Sequence, residues 1–284
     1  MILVTGSTGR VGGEVVRQLV AAGASVRAFV RGGPAAASKL PAGVEIAHGD
    51  FEHPDTLAAA MRGIDKIYLL VPGTPQMPAQ EAAAIDAARR AGVKHVVKHS
   101  VMGAREPAIA LARLHRTSES VIEASGLAWT FVRPGSFMTN ALDWAPSIKS
   151  QGAVFQPLGE GRVAMVDPRD IAAVAVKALT EPGHEGKAYD VTGGQALSMA
   201  EHVKIIGDAI GKPVRYIDIP EAGAREMMQN KLHMPPPVID GLLEVFARIK
   251  AGKAAHVSDD VQRMTGKPPR RFDAWVAENV AAFR

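Results

Sequence analysis

Three glycines near the start of the chain are the first residues whose spacing indicates chemistry. Gly6, Gly9 and Gly12 follow the apolar run Ile2–Val4 and precede an amphipathic segment. A glycine-rich turn between a strand and a helix gathers backbone N–H groups at a helix N-terminus, where they bind anions. Its glycines permit a tight turn, close approach to a pyrophosphate, and packing of helix on strand. The pattern predicts a dinucleotide at this turn; the alternative is an ordinary glycine-rich turn without a ligand.

An arginine marks the end of the second predicted strand. An acidic residue at this place would bind the ribose 2′-hydroxyl of NAD and repel a 2′-phosphate. This chain has Arg31 instead, 19 residues after Gly12, and Arg10 lies in the turn itself. A planar guanidinium is well suited to a phosphate. The sequence therefore predicts NADP(H); the alternative is that both arginines are solvated surface residues.

The segment His48-Gly49-Asp50-Phe51 follows the third predicted strand. The Asp50 carboxylate there could accept a hydrogen bond from the adenine amino group, and the Phe51 ring could flank the base. Alternatively, Asp50 only caps a turn. The predicted cofactor contacts, in chain order, are Gly6, Thr8, Gly9, Arg10, Val11, Gly12, Arg31, Asp50, Phe51, Val71, Pro72, Ser100, His115 and Pro134.

The elements that must position these residues follow an alternating pattern. Short runs rich in β-branched residues alternate with alanine-rich segments of helical period, which is typical of a doubly wound, parallel, Rossmann-type α/β sheet. The predicted strands cover 2–4, 25–31, 44–47, 66–71, 93–100 and 129–133, with a turn-rich stretch from 32 to 44. The predicted helices cover 14–22, 54–61, 78–91 and 108–124.

The alternation weakens after Pro134-Gly135. Residues 136–162 are predicted to be loop-rich, 163–179 to include a helix, 188–191 to form a strand, and the chain from Ser198 onward to be mostly helical. We therefore predict an NADP(H)-binding domain over 1–135, to which 163–192 return. A smaller, mostly helical C-terminal lobe, made of 136–162 and 193–284, is predicted to bind the substrate.

Composition excludes several classes of function. The 33 basic residues are scattered among 29 acidic ones, so a nucleic-acid surface is not indicated. The chain has no cysteine, which excludes disulfides, thiol nucleophiles and metal–thiolate sites. No apolar run reaches the ~18 to 20 residues of a membrane span, and no export signal precedes the first strand. We expect a soluble, cytoplasmic monomer or homodimer with a small-molecule partner and no metal.

Longer segments carry a family resemblance. The turn TGSTGRVGG, the segment VRAFVR, the HGDF box and the later HRTSESVIEASGLAWTFVRPG resemble an atypical short-chain dehydrogenase/reductase. More narrowly, with GHEGKAYDVT and the terminal SDDVQRMTGKPPRRF, the chain resembles the NmrA-like group, which contains NAD(P)H:quinone oxidoreductases and triphenylmethane-dye reductases. The resemblance extends over nearly the whole chain, and the later segments narrow it.

The chain departs from that superfamily at its acid/base dyad. Ordinary members use Tyr-x-x-x-Lys, but Tyr68, Tyr189 and Tyr216 are followed four residues later by proline, glycine and proline. By spacing to Ser125-Gly126-Leu127, His115 occupies the position of the family lysine and Leu111 that of the tyrosine. The usual proton donor is therefore missing.

The missing proton donor limits the kinds of acceptor that the protein could reduce. A positioned acid contributes on the order of 10²–10⁴ in rate to carbonyl reduction, whereas an electron-poor acceptor needs less help. We therefore expect an NADPH-dependent oxidoreductase that transfers a hydride to a quinone or a cationic dye. The alternative is an NmrA-like redox sensor that binds NADP(H) without turnover. An isomerase or lyase that keeps its cofactor bound is a third possibility.

The candidate catalytic residues are His115 and Ser100. His115 could clamp the nicotinamide ribose or supply a proton, or it could be structural; Glu119 could orient it at i, i+4 or be solvated. Ser100 ends the fifth predicted strand, at the edge where such sheets bind ligands. The predicted acceptor pocket, whose members could also be plain core, comprises Met102, Leu111, Phe137, Met138, Asn140 and Trp144. His95 and His99 lie on a strand, where four residues span roughly 13 Å, so no metal is expected.

Overall fold

The computed structural model describes residues 1–284, apart from the side chain of residue 34. Its packing divides the chain into two compact units. The first unit contains residues 1–134, 168–191 and 263–266, and the second contains 135–167, 192–262 and 267–284. Residues 135, 163–167 and 192, which we expected in the first domain, group with the second unit, and residues 263–266 group with the first.

Eleven strands form one large sheet and two small ones among the described residues. In chain order they are β1 (Ile2–Val4), β2 (Val26–Val30), β3 (Glu45–His48), β4 (Lys66–Leu69), β5 (His95–His99), β6 (Ala128–Pro134), β7 (Ala153–Gln156), β8 (Arg162–Val163), β9 (Lys187–Val191), β10 (Leu197–Ser198) and β11 (Arg215–Asp218).

The α-helices are α1 (Gly12–Ala21), α2 (Pro34–Ala37), α3 (Pro54–Ala60), α4 (Met77–Ala91), α5 (Ala110–Ala124), α6 (Ala145–Gln151), α7 (Pro168–Thr180), α8 (Met199–Ile210), α9 (Glu221–Asn230), α10 (Pro236–Lys250), α11 (Asp260–Thr265) and α12 (Phe272–Asn279). Two 3-10 helices cover Met138–Trp144 and Val280–Ala282. Among the described residues, no helix is both long enough and apolar enough to cross a bilayer.

The large sheet belongs to the first unit and is entirely parallel. Its strand order is β3-β2-β1-β4-β5-β6-β9. The order reverses between β1 and β4, which makes the carboxyl ends of these two strands the switch point where such sheets bind ligands. The predicted doubly wound α/β fold is confirmed.

Buried apolar strands and helix faces explain why this sheet forms. All three residues of β1 are buried, as expected for a strand covered on both faces by helices. Helix α1 packs against α7, and α4 packs against both α3 and α5. The resulting core includes Leu3, Ile67, Leu69, Val96 and Phe131, each of them fully buried.

The second unit has more regular structure than the sequence indicated. The expected loop-rich segment 136–162 contains the 3-10 helix Met138–Trp144, α6 and β7. Its strand β7 pairs in parallel with β11, which lies inside the region predicted to be mostly helical. Both strands are only four residues long, and their pairing joins positions about 60 residues apart, which local periodicity cannot reveal.

Candidate active site

The glycine turn between β1 and α1 has a backbone that only glycine accommodates at two positions. A Cβ atom at Gly12 would lie 2.2 Å from the carbonyl oxygen of Gly6. Gly6 has a φ of +60°, and a Cβ atom there would lie 2.7 Å from Leu70 Cδ2. The Gly9 amide donates to the Gly6 carbonyl at 2.9 Å. The turn is therefore tight, and its backbone is open to close approach.

Two buried hydroxyl side chains fix this turn to the sheet. Thr5 Oγ1 donates to the Leu70 carbonyl at 2.9 Å and accepts from the Leu70 amide at 2.7 Å. Ser7 Oγ donates to the Phe29 carbonyl at 2.9 Å. The turn is thus attached to the carboxyl ends of both β4 and β2, the strands that flank β1.

At the N-terminus of α1, the Gly13 amide donates to the Gly9 carbonyl at 2.9 Å, and the other amides of the first turn have no side-chain cap among the described residues. Glu14, the acidic residue of that turn, is held by Arg17 and by Gln18, whose Nε2 donates to Glu14 Oε1 at 2.9 Å. An uncapped helix N-terminus carries about half a positive charge. Together with the closely packed glycines, it fits the pyrophosphate of a dinucleotide.

Arg31 lies directly after β2 with a side chain that is 80% exposed. Its Nε is 3.9 Å from Asp50 Oδ2, across the carboxyl ends of β2 and β3. Arg10, in the turn, is also exposed. Both guanidinium groups are therefore accessible to a phosphate at the edge where β2 ends, and their part in binding the 2′-phosphate stays a prediction.

The segment after β3 is fixed against β2. The Gly49 amide donates to the Val30 carbonyl at 3.1 Å, and a Cβ atom at Gly49 would lie 2.5 Å from the Phe29 ring. Phe51 packs edge-on against Phe29, with ring centroids 5.6 Å apart. Asp50 Oδ1 accepts from the Glu52 amide at 3.0 Å, so the turn-capping role that we considered for Asp50 is observed. Its contact with adenine stays a prediction.

The edge beyond β4 and β5 carries the residues expected near the nicotinamide. Val71 is buried, and Pro72 is exposed. Gly73, the residue after Pro72, lies against Leu111 at the start of α5. A Cβ atom at Gly73 would lie 2.7 Å from Leu111 Cδ1. The leucine side chain has no proton to give, and its assignment to the position of the family tyrosine stays a prediction. The loop after β5 is tied to β6, because the Met102 amide donates to the Pro134 carbonyl at 2.9 Å.

A buried ionic cluster lies beside Ser100, and sequence reasoning missed its partners. Ser100 Oγ donates to Glu119 Oε1 at 2.7 Å. Arg133 Nε and Nη2 donate to the two oxygens of Glu119 at 2.9 and 2.8 Å, and Arg116 Nη1 donates to Oε2 at 2.9 Å. Ser100, Glu119 and Arg133 are all buried. The two strand ends and α5 are therefore joined by one carboxylate.

Glu119 does not have either of the roles considered for it from the sequence. It is fully buried rather than solvated, and its carboxylate is held by Arg133, Ser100 and Arg116 rather than by His115. Burial alone would raise the pKa of this carboxyl group, but the hydrogen bonds from Arg133, Ser100 and Arg116 outweigh it and lower the pKa. Glu119 is therefore ionised.

His115 lies one turn before Glu119 and is 6% exposed. Its Nδ1 has no hydrogen-bond partner among the described residues. Burial, reinforced by the positive charge of Lys98, lowers the pKa of His115 to about 2. The imidazole is neutral at physiological pH, so His115 is a poor source of the proton that we considered from the sequence. Contact with the nicotinamide ribose stays a prediction.

A second buried ion pair joins strand β5 to helix α4. Lys98 Nζ donates to both carboxylate oxygens of Glu81, at 2.7 and 2.6 Å, and neither side chain is more than 1% exposed. The neighbouring His99 shares a hydrogen bond of 2.8 Å between its Nδ1 and Tyr68 Oη. Burial lowers the pKa of His99 to about 3. The signal that points to the ion pair is a lysine that directly follows two apolar valine residues in a buried strand.

The predicted pocket residues of the second unit differ in burial. Met138 and Trp144 belong to the core of that unit, so the alternative that they are plain core is observed. Phe137 is half-buried, and Asn140 is exposed. Whether Phe137 and Asn140 contact an acceptor stays a prediction, as it does for Met102 and Leu111 in the first unit.

Comparisons with known proteins agree over nearly the whole chain. The model of the NmrA-like family matches residues 1–265. An NAD(P)H azoreductase from Xenophilus azovorans is 43% identical over 284 residues, covering 100% of this chain and 99% of that protein. A (4-alkanoyl-5-oxo-2,5-dihydrofuran-3-yl)methyl phosphate reductase from Streptomyces griseus is 42% identical over 285 residues, with coverage of 100% and 99%.

A solved structure is also similar along the full length. The NADPH-dependent quinone oxidoreductase from Escherichia coli, in its complex with NADPH, superposes with a TM-score of 0.89 at 28% identity. The superposition covers 99% of each chain.

Proposed function

This chain belongs to the NmrA-like family, and we propose that it transfers a hydride from NADPH to an electron-poor, conjugated acceptor such as a quinone, an azo compound or a cationic dye. The family assignment confirms the resemblance found in the sequence. The chain is an NAD(P)H-dependent oxidoreductase that binds NADP(H), as are its relatives by name. The proposal concerns the acceptor and the way in which the reaction proceeds.

The cofactor is held by groups that the first unit supplies. The amides of the Gly6–Gly12 turn and the α1 N-terminus bind the pyrophosphate, and Thr5 and Ser7 keep the turn in place. Arg31, with Arg10, binds the 2′-phosphate at the end of β2. When bound, the reduced nicotinamide supplies the hydride. Tethering donor and acceptor in one site removes the entropic cost of a bimolecular encounter, which is worth up to about 7–11 kcal/mol.

The acceptor class follows from the side chains at the family's acid/base positions. Leu111 cannot donate a proton, and the pKa of His115 is lowered to about 2 by burial. A quinone that gains a hydride becomes a hydroquinone anion, which takes its proton from water afterwards. An azo group takes one hydride and one proton, and a cationic dye takes the hydride alone. A quinone and a cationic dye therefore need no acid during hydride transfer, whereas an azo group, whose nitrogen anion is a stronger base, must take its proton from water as the hydride arrives.

The observation that carries the proposal is a neutral, buried His115; His115 and the apolar Leu111 stand where sequence spacing assigns the family dyad. An unactivated ketone forms an alkoxide during reduction and requires a positioned acid. We therefore expect the site to reduce electron-poor acceptors much faster than unactivated ketones. The relatives named for an azo compound, a conjugated lactone and a quinone support this acceptor class.

A panel of acceptors tests the proposal. Purified protein, without added flavin, is mixed with NADPH and a p-quinone, an azo dye, a triphenylmethane dye or an aliphatic ketone, and NADPH absorbance is followed. We expect turnover with at least one conjugated acceptor to exceed that with the ketone by roughly 100-fold or more. His115→Ala is expected to retain most of the turnover, because the imidazole supplies no proton.

Two outcomes would contradict the proposal. Reduction of the ketone as fast as the quinone would show that the site does supply an acid. Reduction of no acceptor, with equal affinity for NADP⁺ and NADPH, would instead favour a redox sensor without turnover.

A further inference from the structure

Ser100 is fixed in both backbone and side chain at the carboxyl edge of the sheet. Its amide donates to the Val132 carbonyl at 2.7 Å, which holds the residue against β6. Its hydroxyl lies 2.7 Å from Glu119 Oε1 and is buried. A hydroxyl can donate one hydrogen bond and accept two, so the direction of this bond decides what Ser100 offers to a ligand.

The carboxylate of Glu119 determines that direction. All of the hydrogen bonds described for its two oxygens come from donors: Ser100, two nitrogens of Arg133, and Arg116. Because the group is ionised, it has no proton to donate. The hydrogen of the contact with Ser100 must therefore come from the serine.

Because the bond from Ser100 to Glu119 is strong, Ser100 is expected to keep donating to Glu119 when a ligand binds. A hydrogen bond to a charged group contributes about 1.5–3 kcal/mol, whereas a bond between neutral partners contributes about 1 kcal/mol. A neutral ligand oxygen therefore competes poorly for the Ser100 hydrogen. The hydroxyl offers its lone pairs and not its proton.

The position of Ser100 in the sheet indicates which half of the cofactor would lie near it. The pyrophosphate turn is at β1, and the 2′-phosphate and adenine groups lie towards β2 and β3. The nicotinamide half therefore extends the other way, over β4 and β5. Ser100 follows β5, which is two strands from β1, or about 10 Å at the usual spacing of ~4.8 Å.

We propose that Glu119 is a positioning residue that makes Ser100 an obligate hydrogen-bond acceptor for a donor on the nicotinamide–ribose half of NADP(H). The inference rests on the proposed cofactor site. Two groups share the required chemistry, the carboxamide N–H and the ribose O–H. On this account Ser100 neither protonates the acceptor nor stabilises a negative oxygen on it, and it instead orients the hydride donor.

Binding of NADP⁺ analogues tests the proposal without turnover. The dissociation constants of wild type and Ser100→Ala are measured by calorimetry for NADP⁺, its 3-acetylpyridine analogue, which has no carboxamide N–H, and its 2′-deoxy nicotinamide-ribose analogue. We expect Ser100→Ala to weaken NADP⁺ binding about 5- to 10-fold. The variant should bind one of the two analogues as well as wild type does, and that analogue identifies the donor.

The contact with Glu119 is tested in the protein without cofactor. Carbon-13 NMR titration of the Glu119 carboxyl in Ser100→Ala should give a pKa above that of wild type, because the carboxylate has lost a donor. Ser120→Ala is the control, since Ser120 Oγ on the same helix donates to the Arg116 carbonyl at 3.0 Å instead. It should change neither the Glu119 pKa nor the affinity for NADP⁺.

Three results would overturn the proposal. In the first, Ser100→Ala binds NADP⁺ as tightly as wild type does. In the second, it loses affinity equally for all three nucleotides, and in the third the Glu119 pKa stays unchanged. Failure of the wild-type protein to bind NADP⁺ would instead count against the proposed function, and the NMR titration would still report on the serine–carboxylate contact.

Discussion

The glycine turn at β1 and the ionic cluster at β5 and β6 lie at the same edge of one sheet but are built differently. The turn consists of eight consecutive residues, 5–12, and we propose that it binds its ligand through backbone amides. The cluster brings together Ser100, Glu119 and Arg133 through side-chain hydrogen bonds; Glu119 is 19 residues from Ser100 and 14 residues from Arg133. One is local in sequence, and the other exists only after folding.

Because of this difference, the two regions are sensitive to different kinds of substitution. A backbone site depends on the absence of a side chain, so a single added methyl group at a crowded glycine damages it. A buried ionic site depends on having every partner present, because an unpaired buried charge is costly. Changes to the two regions should therefore fail in different ways, the turn through ligand affinity and the buried ion pairs through stability.

The largest effect is expected from breaking a buried ion pair. Lys98→Met leaves the fully buried Glu81 carboxylate without its partner, which should lower the free energy of unfolding by about 3–5 kcal/mol. The double variant Glu81→Leu/Lys98→Met should recover most of that loss. Urea unfolding of the three proteins measures both values, and equal destabilisation by the single and double variants would contradict the role of charge burial.

The next largest effect is expected in the turn. Gly12→Ala places a methyl group 2.2 Å from the Gly6 carbonyl oxygen, and the turn must shift away from its anion-binding shape. NADPH affinity, measured by calorimetry, should fall on the order of 100-fold, in line with the 1–3 kcal/mol typical of overpacking. Gly223→Ala in α9 is the control, because its Cβ meets nothing within 4 Å; a similar loss there would contradict the steric argument.

Cofactor selectivity sharpens the comparison, because it depends on a side chain beside a backbone site. Arg31→Asp places a carboxylate where we predict the 2′-phosphate to bind, so preference for NADPH over NADH should fall about 10- to 100-fold, or 1.4–2.7 kcal/mol. Arg90→Asp, a charge reversal on the exposed end of α4, should leave the preference unchanged. The ratio of kcat/KM values decides, and an unaltered ratio in Arg31→Asp would show that another group binds the phosphate.

The smallest effect is a change in how stability depends on pH. The pKa of His115 is about 2 when folded and about 6.5 when unfolded. Below pH ~6.5 the unfolded chain therefore binds a proton that the native protein does not, and stability falls with falling pH. His115→Gln should make the slope shallower by up to about 1.4 kcal/mol per pH unit between about pH 6 and 5. Ser120→Ala, which removes no titratable group, should keep the wild-type slope.

The features that could be predicted from the sequence are those that depend on local sequence patterns. The parallel sheet followed from alternating apolar periods, and the glycine turn from the spacing of Gly6, Gly9 and Gly12 after a strand. Arg31 was singled out because it ends the second predicted strand; in the structure it directly follows β2. Each of these signals is contained within a short stretch of chain.

The parts that sequence could not predict depend on tertiary pairing. Glu119 was considered as a partner of His115 because helix spacing brings them close, but the stronger charge of Arg133, on β6, takes its carboxylate. The β7–β11 pair joins distant segments. The pKa of His115 is lowered by burial and by the charges of Lys98 and His99 on β5, so its neutrality could not be predicted from residue type alone.

Hydride transfer without a side-chain acid is the central claim, and the pH dependence of a single turnover tests it most directly. Excess protein is loaded with NADPH, mixed with a p-quinone, and NADPH oxidation is followed by stopped flow from about pH 6 to 8, a range in which a general acid with a pKa near neutrality would titrate. We predict a rate that does not change with pH. A rate that falls as pH rises through such a pKa would show that a protein group donates the proton, and would contradict the account.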